Sequence, residues 1–291
     1  METLTRIETV EKLKELQKAA GNGKGKEKTK TILLCAGAGC IASGALEVKK
    51  ALLEEADKEN LHLDVVETGC LGPCARGPVI LIQDDETFYE GISPEDAKDI
   101  VVSHIKNGEI VDKLTHKTGE DQESVPKKDQ ISFFQGQTKI VLRNCGRIDP
   151  LNIQDYIAHN GYQALGKALT QMSQDDIIEE MKTSGLRGRG GGGFPTYLKW
   201  SFTKKAKGDE KYILCNADEG DPGAFMDRSV LEGDPHSLIE GMAIGAYAIG
   251  ASKGFVYVRA EYPLAVSRFR KAIEQAREIG LLGENIFGTD F

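Results

Sequence analysis

The chain has 291 residues, enough for about two domains of ordinary size, and its net charge of −8 argues against nucleic acid as its main partner. Its 40% hydrophobic and 28% charged residues are typical of globular proteins, and no apolar run approaches the ~18 residues of a membrane span. Six cysteines without a secretion signal predict a reducing, cytoplasmic location.

The first predicted element is an amphipathic helix over residues 3–20, in which four apolar residues recur at helical spacing: Ile7, Val10, Leu13 and Leu16. Such a helix either docks a partner or packs on its own domain, and the pattern does not separate these alternatives. Residues 21–26 predict a flexible linker, because three glycines interrupt the periodicity. Residues 1–28 are therefore interpreted as a helix followed by a linker.

Residues 29–114 predict one unit of mixed α/β structure. The predicted strands are 30–35, 61–67, 78–83 and 86–90, and the predicted helices are 44–58 and 94–106. Ser93 is expected to cap the last helix, with Pro94 at its first position. A β-α-β-β-α order of this kind predicts a small mixed sheet with helices on its faces.

Two pairs of cysteines follow strands in this unit. Cys35 and Cys40 have four residues between them, and Cys70 and Cys74 have three. Both loops contain glycines, which let backbone N–H groups approach the sulfides of a cluster closely. Four thiolates on two facing loops are suitable ligands for a [2Fe–2S] cluster or for zinc. The unequal spacing favours iron–sulfur over zinc, whose paired ligand loops are normally alike, and two disulfides are less favoured in a reducing compartment.

The element order and the two cysteine loops resemble the thioredoxin-like [2Fe–2S] ferredoxins. Domains of that family are appended to, or partner with, NADH-oxidising flavoproteins. The resemblance implies that the [2Fe–2S] cluster would be held by Cys35, Cys40, Cys70 and Cys74.

Residues 115–136 predict an interdomain linker, because they are largely polar, lack periodicity and contain Pro126. A second domain is expected at residues 137–291. It would open with a strand at 138–143 and continue with helices near 153–158, 161–169 and 173–184, and the apolar stretch at 237–251 predicts a buried helix.

The glycine-rich segment 185–195 is the second chemical signal. Residues 188–193 match G-x-G-x-x-G, but a Rossmann loop must follow a strand, and the preceding segment 173–183 is predicted to be helical. A flavin-free Rossmann dehydrogenase is therefore disfavoured.

Because glycine has no side chain, a flat ring or a phosphate can nevertheless lie directly against the backbone of this segment. Three nearby cations suit phosphate: Arg187, Arg189 and Lys199. A flexible surface loop is the alternative, but it leaves three flanking rings unexplained: Phe194, Trp200 and Phe202.

A predicted strand at 212–215 leads into a turn at 216–223 that is dense in Asn and carboxylates. Strand ends carry ligand groups in α/β proteins, and an Asn can hold the donor and acceptor edges of a flavin ring. Turns rich in Asp and Gly are also common, so this segment alone leaves both interpretations equally open.

Together these segments resemble the flavoprotein subunit of NADH dehydrogenases, a family found in respiratory complex I, soluble hydrogenases and formate dehydrogenases. The stretches that carry the resemblance are 185–202, 212–228, 231–240 and 254–265. Two features most resemble the NAD(P)H-handling subunit of multisubunit [FeFe]-hydrogenases, including electron-bifurcating ones. They are the fused cysteine domain and the amino-acid sequence of residues 216–223. The implied fold is α/β: a thioredoxin-like [2Fe–2S] domain followed by a truncated FMN/NADH-binding domain.

The resemblance also implies site residues for FMN and for NAD(H) or NADP(H). Those expected to line FMN and its phosphate are Gly188, Arg189, Gly190, Gly191 and Lys199. Those expected to hold the isoalloxazine and ribityl groups are Asn216, Asp218 and Glu219. Phe194 and Phe202 would stack on the dinucleotide, with Glu219 and Asp221 near its ribose or amide. The complex I relatives carry Glu where this chain has Asp221, which leaves the choice between NADH and NADPH open. No side chain is needed as an acid or base in hydride transfer, so no catalytic residue is predicted.

The implied function is an electron-transfer subunit of a multisubunit oxidoreductase such as an NAD(P)-linked, including a bifurcating, hydrogenase. Hydride would pass between NAD(P)H and FMN, and single electrons would pass onward to iron–sulfur clusters. The implied partners are a hydrogenase catalytic subunit, a small [2Fe–2S] subunit and ferredoxin. The alternative is a zinc-stabilised, non-catalytic adaptor.

The family continues beyond the point equivalent to Phe291 into a second glycine-rich motif, a ubiquitin-like segment and a [4Fe–4S] domain. We therefore expect a fragment or one part of a split subunit, which in isolation would bind FMN poorly and be inactive. Cys145 and Cys215 stand 70 positions apart and are expected to be buried structural thiols.

Overall fold

The computed structural model describes residues 5–22, 29–119 and 121–291, and it divides into two compact units. The cysteine unit consists of Gly23–Asn152 with Glu232–Asp234. The glycine-loop unit consists of the three remaining stretches: Met1–Asn22, Ile153–Leu231 and Pro235–Phe291.

The cysteine unit is built on a four-stranded mixed sheet with the strand order β2-β1-β3-β4. The strands are β1 (Lys30–Cys35), β2 (Leu63–Thr68), β3 (Ile80–Ile82) and β4 (Thr87–Tyr89). Strand β1 pairs parallel with β2 and antiparallel with β3, which in turn pairs antiparallel with β4. The β-α-β-β-α order predicted from the sequence is confirmed.

Helices cover this sheet and bury its central strand. Between β1 and β2 run α2 (Ala38–Ala42) and α3 (Ala45–Lys58). After β4 come three helical stretches in succession: a 3₁₀ turn (Pro94–Asp96), α4 (Ala97–Asp99) and a π-helix (Ile100–Lys106). The predicted cap is confirmed, since Ser93 and Asp96 form a capping box and Pro94 opens the first turn.

The segment at residues 115–136 is not the interdomain linker that the sequence predicts. It contains a hairpin of β5 (His116–Thr118) and β6 (Glu123–Val125). Two β-bridges attach the segment to β4, and Phe134 packs against the core of the sheet. Its attachment depends on backbone pairing and a few long-range contacts, which a polar, aperiodic sequence does not reveal.

The strand predicted at 138–143 is also wrong. Residues 137–152 form turns and remain part of the cysteine unit. Ile140 and Val141 are exposed, at 73% and 55%, because no neighbouring strand covers them among the described residues. The apolar run therefore lacks the partner that would make it a strand.

The glycine-loop unit is mainly helical and contains one two-stranded parallel sheet, formed by β7 (Tyr212–Ala217) and β8 (Lys253–Val258). Its described helices are α1 (Val10–Asn22), α5 (Ile153–Ala158), α6 (Gln163–Gln171), α7 (Gln174–Thr183), α8 (Thr196–Lys205), α9 (Met226–Gly233), α10 (Pro235–Ile249) and α11 (Pro263–Glu278). The predicted helices within residues 153–184 and 237–251 are confirmed with small shifts in their ends. Among the described residues, no helix is both long and apolar enough to cross a membrane.

The N-terminal helix begins at Val10, later than predicted. Ile7, Val10 and Leu13 are buried, and α1 packs on α5 within its own unit. Packing on its own domain, one of the two alternatives left open by the sequence, is therefore confirmed. Of the predicted linker at 21–26, residues 21 and 22 end α1 and the remainder lies outside the described residues.

A buried carboxylate joins the helices of this unit. Glu240 on α10 accepts hydrogen bonds from the Tyr156 hydroxyl at 2.6 Å and from the backbone amides of Tyr162 and Leu165 at 2.8 and 3.0 Å. Its charge is compensated by three donors, so an acidic residue is accommodated in an otherwise apolar helix.

Asp85 connects the hairpin segment to the sheet. Burial opposes its ionisation, but hydrogen bonds from Lys127 and Thr87 outweigh that effect and lower the pKa of Asp85 to about 2. Its folded pKa is below the ordinary value of 3.8, so the stability it contributes is complete above about pH 4 and is lost as the pH falls through 2.

We predict that Asp85→Asn lowers the free energy of unfolding of the cysteine unit by about 1 kcal/mol at pH 7, a figure reduced for its 36% exposed side chain. At pH 3 about half of that difference remains. Hydrogen exchange of the β3 and β4 amides measures it. Asp84→Asn, which removes an exposed ion pair with Lys30, is the control and should change little. An equal effect of both variants would contradict the role assigned to Asp85.

Candidate functional site

The two cysteine loops meet because they leave parallel, adjacent strands at the same end. Cys35 closes β1 and pairs in register with Thr68, the last residue of β2. Beyond the strands, Ala36 donates its amide to the Thr68 carbonyl at 2.9 Å. The chain then places Cys40 on α2, and it places Cys70 and Cys74 in the loop after β2. The sequence-based expectation that the loops face one another agrees with this geometry.

The four predicted ligand sulfurs lie together. Cys35 hydrogen-bonds with both Cys40 and Cys70, and the sulfurs of Cys70 and Cys74 are 3.8 Å apart. Cys35 and Cys40 are buried, whereas Cys70 is half-buried and Cys74 is exposed. All six cysteines lie in the described part of the chain, and none of them forms a disulfide. The donor set is thus four thiols from two loops, with one edge towards solvent.

The pKa values of two of these thiols are shifted from the ordinary cysteine value in opposite directions. The hydrogen bond with Cys40, together with burial, raises the pKa of Cys35 to about 11. The same hydrogen bond lowers the pKa of Cys40, although burial acts against it. Since a metal is held by thiolates, binding one would displace protons from these side chains.

Glycines lie directly beside the cysteine side chains. The space around each glycine indicates whether the site can accommodate a cluster. A Cβ added at Gly77 would lie 2.8 Å from the Cys40 sulfur, and one at Gly37 would lie 3.4 Å from the Cys70 Cβ. A side chain at position 77 would therefore press on the Cys40 sulfur, whereas one at position 37 would only contact Cys70. Over the described ranges, no group of three or more His, Cys, Asp or Glu side chains is already arranged around one metal position. The four thiols of the donor set and the glycines beside them fit a [2Fe–2S] cluster.

Glu232 is a residue that the sequence analysis did not connect with this site. Its carboxylate accepts a hydrogen bond from the Ala38 amide, in the first cysteine loop, at 3.1 Å. Glu232 is buried and belongs to the cysteine unit, although nearly 200 positions separate it from Ala38. A contact of this sequence separation has no local signal.

The glycine loop is closed at its base and open at its tip. Gly188 donates its amide to the Phe194 carbonyl at 2.9 Å, and Thr196 donates to Leu186 at 3.0 Å. Between them, a Cβ at any of four successive glycines would meet no atom within 4 Å: Gly190, Gly191, Gly192 and Gly193. Gly191 and Gly193 have φ of +97° and +59°, which favour glycine. The loop therefore presents bare backbone to open space and fits a ring or a phosphate.

The cationic side chains near the loop differ in their hydrogen bonding and exposure. Arg187 donates to the Gly193 carbonyl at 3.0 Å and so holds the loop itself. Arg189 and Lys199 are exposed, and Lys199 lies in the first turn of α8, which begins directly after the loop. The predicted ring-stacking residues Phe194 and Phe202 are exposed at 46% and 61%. Trp200 packs instead against the buried Ala246 and Ile249 of α10, a cluster that Ile213 of β7 also contacts.

The turn after β7 is organised by its own polar groups. The Asn216 side chain accepts the Asp218 amide at 3.1 Å, and both side chains are exposed. Glu219 is buried, and its carboxylate accepts the amides of Asp227 and Arg228 at 2.8 and 3.1 Å. Both oxygens of Glu219 are thus used to cap α9, so its observed role is to position the turn. Asp221 is exposed and accepts the Ala224 amide through its carbonyl.

Arg259 and Tyr262 also hold this turn, and the sequence analysis gave neither a role. The Arg259 guanidinium and the Tyr262 hydroxyl both donate to the Glu219 carbonyl, at 2.8 and 3.2 Å. Arg259 follows β8 directly, so its place at a strand end was the available signal. Among the described residues no hydrogen bond joins this turn to the glycine loop, and each segment is ordered within itself.

Comparison with known proteins assigns both regions. Residues 23–104 match the thioredoxin-like [2Fe–2S] ferredoxin family, and residues 181–286 match the Nuo51 FMN-binding domain. The chain joins a [2Fe–2S] ferredoxin domain to a Nuo51 FMN-binding domain. The predicted α/β fold class, and the [2Fe–2S] and FMN cofactors of these domain types, are confirmed.

Individual relatives extend this result. The chain is 63% identical over 155 residues to the NADP-reducing hydrogenase subunit HndC of Solidesulfovibrio fructosivorans, a match that covers 53% of this chain and 31% of that protein. It is 53% identical over 152 residues to an NADH-quinone oxidoreductase subunit of Rhizobium meliloti, covering 52% and 36% respectively. The chain thus spans about a third of these relatives' length. The resemblance to NADH dehydrogenase and hydrogenase flavoprotein subunits is confirmed.

Among solved structures, a thioredoxin-like [2Fe–2S] ferredoxin from Aquifex aeolicus aligns with a TM-score of 0.29 and 27% identity. The alignment covers 33% of this chain and 98% of the ferredoxin.

The two remaining cysteines differ from one another. Cys145 is buried, as expected, and burial raises its pKa to about 12. Cys215 lies on β7 as expected but is only half-buried. The expectation of a fully buried thiol is wrong for Cys215.

Glu219→Gln is expected to lower the free energy of unfolding of the FMN-binding domain by about 1–2 kcal/mol, because one amide at the start of α9 loses its acceptor. Urea unfolding monitored by the fluorescence of Trp200, the single tryptophan, measures this change. Asp218→Asn is the matched control, since the Asp218 side chain is exposed. If Glu219→Gln were as stable as this control, the capping role would be incorrect.

Proposed function

We propose that this chain is an electron-transfer part of an NAD(P)H oxidoreductase in which FMN and a [2Fe–2S] cluster act in sequence. The observation that carries the proposal is the presence, in one chain, of four clustered thiols and an open glycine loop, each within a domain of the corresponding cofactor family. Neither feature alone requires the other. Together they would hold the two cofactors, FMN and the cluster, that convert hydride transfer into single-electron transfer.

The ferredoxin domain would hold its cluster through Cys35, Cys40, Cys70 and Cys74. The buried pair Cys35 and Cys40 keeps water from one side, and the exposed Cys74 leaves one edge accessible to an electron donor or acceptor. Gly77 leaves the space that the Cys40 sulfur needs, and Gly37 lies in contact with Cys70.

The FMN-binding domain would receive its cofactor against the glycine loop. Gly190 and Gly191 offer bare backbone, and Gly188 closes the base of the loop through its hydrogen bond to Phe194. Arg189 and Lys199 offer charge for a phosphate. Asn216 and Asp218 are exposed at the end of β7 and are available to a ring or a ribityl chain. Bound FMN supplies the conversion between hydride and single-electron transfer. The residues themselves bind and orient, so we assign none of them as an acid or base.

The dinucleotide site belongs to the same proposal. Phe194 and Phe202 present exposed rings suited to stacking on a nicotinamide or an adenine. Asp221, also exposed, lies near the buried Glu219 and is available to a ribose hydroxyl. We propose NAD(H) or NADP(H) as the substrate class.

Partners and location follow from the relatives. One of them is named a subunit of an NADP-reducing hydrogenase and the other a subunit of an NADH-quinone oxidoreductase. We therefore propose that this chain works with iron–sulfur subunits of a multisubunit complex, with an electron-bifurcating hydrogenase and ferredoxin as candidates. Its non-disulfide thiols suit a cytoplasmic location.

Metal analysis decides between this proposal and a zinc-held adaptor. The anaerobically purified native assembly should contain iron at the four-cysteine site and absorb beyond about 400 nm, where thiolate–iron bands lie. One equivalent of zinc and a colourless ferredoxin domain would favour the adaptor instead.

Cys70→Ser is expected to remove the cluster, because Cys70 interacts with Cys35 of the first loop as well as with Cys74 of its own loop. In the intact subunit, the spectrum of the [2Fe–2S] cluster should disappear, while reduction of an artificial dye by NADH should continue because it needs only the FMN site. Cys215→Ser is the control and should keep the cluster. Joint loss of cluster and dye reduction in Cys70→Ser would contradict two separate sites.

Lys199→Ala is expected to weaken FMN retention in the intact subunit by about tenfold, since it removes a positive charge beside the phosphate. The measurement is FMN released after gel filtration. Lys205→Ala removes an exposed lysine from the other end of α8 and should retain the cofactor. Equal FMN content in the two variants would refute the role of Lys199.

A further inference from the structure

A segment outside the ferredoxin match packs on the second cysteine loop. The match covers residues 23–104, whereas residues 131–146 lie beyond it and within the same compact unit. This segment, which we name the collar, contacts Thr68 at the end of β2 and three positions of the loop that follows: Gly69, Leu71 and Gly72.

The closest contacts come from the end of the collar. The Gly146 amide donates a buried hydrogen bond to the Thr68 hydroxyl at 3.0 Å. A Cβ at Gly146 would lie 2.5 Å from the Leu71 side chain, and one at Gly69 would lie 3.2 Å from the Cys145 sulfur. Backbone and side chain are thus fitted to one another on both sides of Cys70.

The beginning of the collar covers the other side of the loop. The Phe133 ring would lie 2.8 Å from a Cβ at Gly72, so it packs directly on this glycine between Cys70 and Cys74. Phe133 also meets Phe134 edge to face, and the buried Ile131 anchors the start of the collar in the core of the sheet. Between the two ends, the Lys139 ammonium lies 3.4 Å from the Leu71 carbonyl.

We propose that the collar is a positioning part of the cluster site, which fixes the second cysteine loop and excludes water from its Leu71–Gly72 side. Cys70 is only half-buried, so its exclusion from solvent depends on neighbours. Water stabilises the more highly charged, reduced form of a cluster, and exposure is one of the factors that set its reduction potential. Opening the collar should therefore raise the potential and speed the loss of the cluster.

This inference rests on the proposed cluster, so the iron content of the wild-type assembly is measured first. The decisive variant is Gly146→Ala in the full chain within its native complex. Gly146 has φ of +83°, and an added methyl would also meet Leu71. Gly136→Ala is a matched control, because Gly136 lies in the collar with φ of +73° and a Cβ there would meet nothing within 4 Å. The two variants share backbone strain and differ in contact with the loop.

Gly146→Ala is expected to lose its cluster about tenfold faster than Gly136→Ala under air, a size typical for residues that support metal ligands. The loss is followed by the [2Fe–2S] absorption and by electron paramagnetic resonance. Faster hydrogen exchange of residues 68–74 in metal-free Gly146→Ala than in metal-free Gly136→Ala reports loop positioning independently of the cluster.

Phe133→Ala provides a second test of the proposal in case Gly146→Ala does not fold. Phe133 is 45% exposed, so Phe133→Ala should fold, raise the reduction potential and broaden the resonance spectrum. Ile140→Ala removes a 73% exposed side chain from the same collar and should leave both unchanged. If iron is present and both test variants match their controls, this inference alone is overturned. If the wild-type site holds no iron, the proposed function fails with it.

Discussion

The parallel pairing of β1 with β2 is the constraint on which the cysteine site depends. Parallel neighbours end at the same edge of a sheet, and the register sets Cys35 opposite Thr68. Two loops that are separated by a helix and a strand in sequence therefore leave the sheet side by side. A slip of one residue would turn the end of β1 to the opposite face and separate Cys35 from Cys70. The sulfur arrangement is thus a product of strand register before it is a property of the loops.

Glycine has opposite uses in the two domains. In the ferredoxin domain, the space beside Gly37, Gly72 and Gly77 is filled by other atoms of the protein, so glycine permits close packing. In the FMN-binding domain, the space beside Gly190–Gly193 is open, so glycine leaves the backbone uncovered. The first pattern belongs to a site packed by its own chain, and the second belongs to a surface that receives a ligand.

Residues with strong local signals were predicted correctly. The Ser93 cap, the helix that precedes the glycine loop and the strands around the cysteines depend on neighbours within a few positions. The errors fell where long-range contacts decide structure. Residues 115–136 are polar and aperiodic, yet β-bridges and the Lys127–Asp85 ion pair make them part of the ferredoxin unit. The run at 138–143 has strand composition but lacks a partner strand.

By itself, the sequence determined the kinds of chemistry present: thiol pairs, bare glycine backbone, and an Asn and carboxylate turn after a strand. These follow from residue type and spacing, which are local. Only the tertiary structure decided which groups remain available, because burial and hydrogen bonding depend on distant parts of the chain. It committed both oxygens of Glu219 to the start of α9, engaged Arg187 with its own loop, and brought Glu232 and the collar to the cysteine loops.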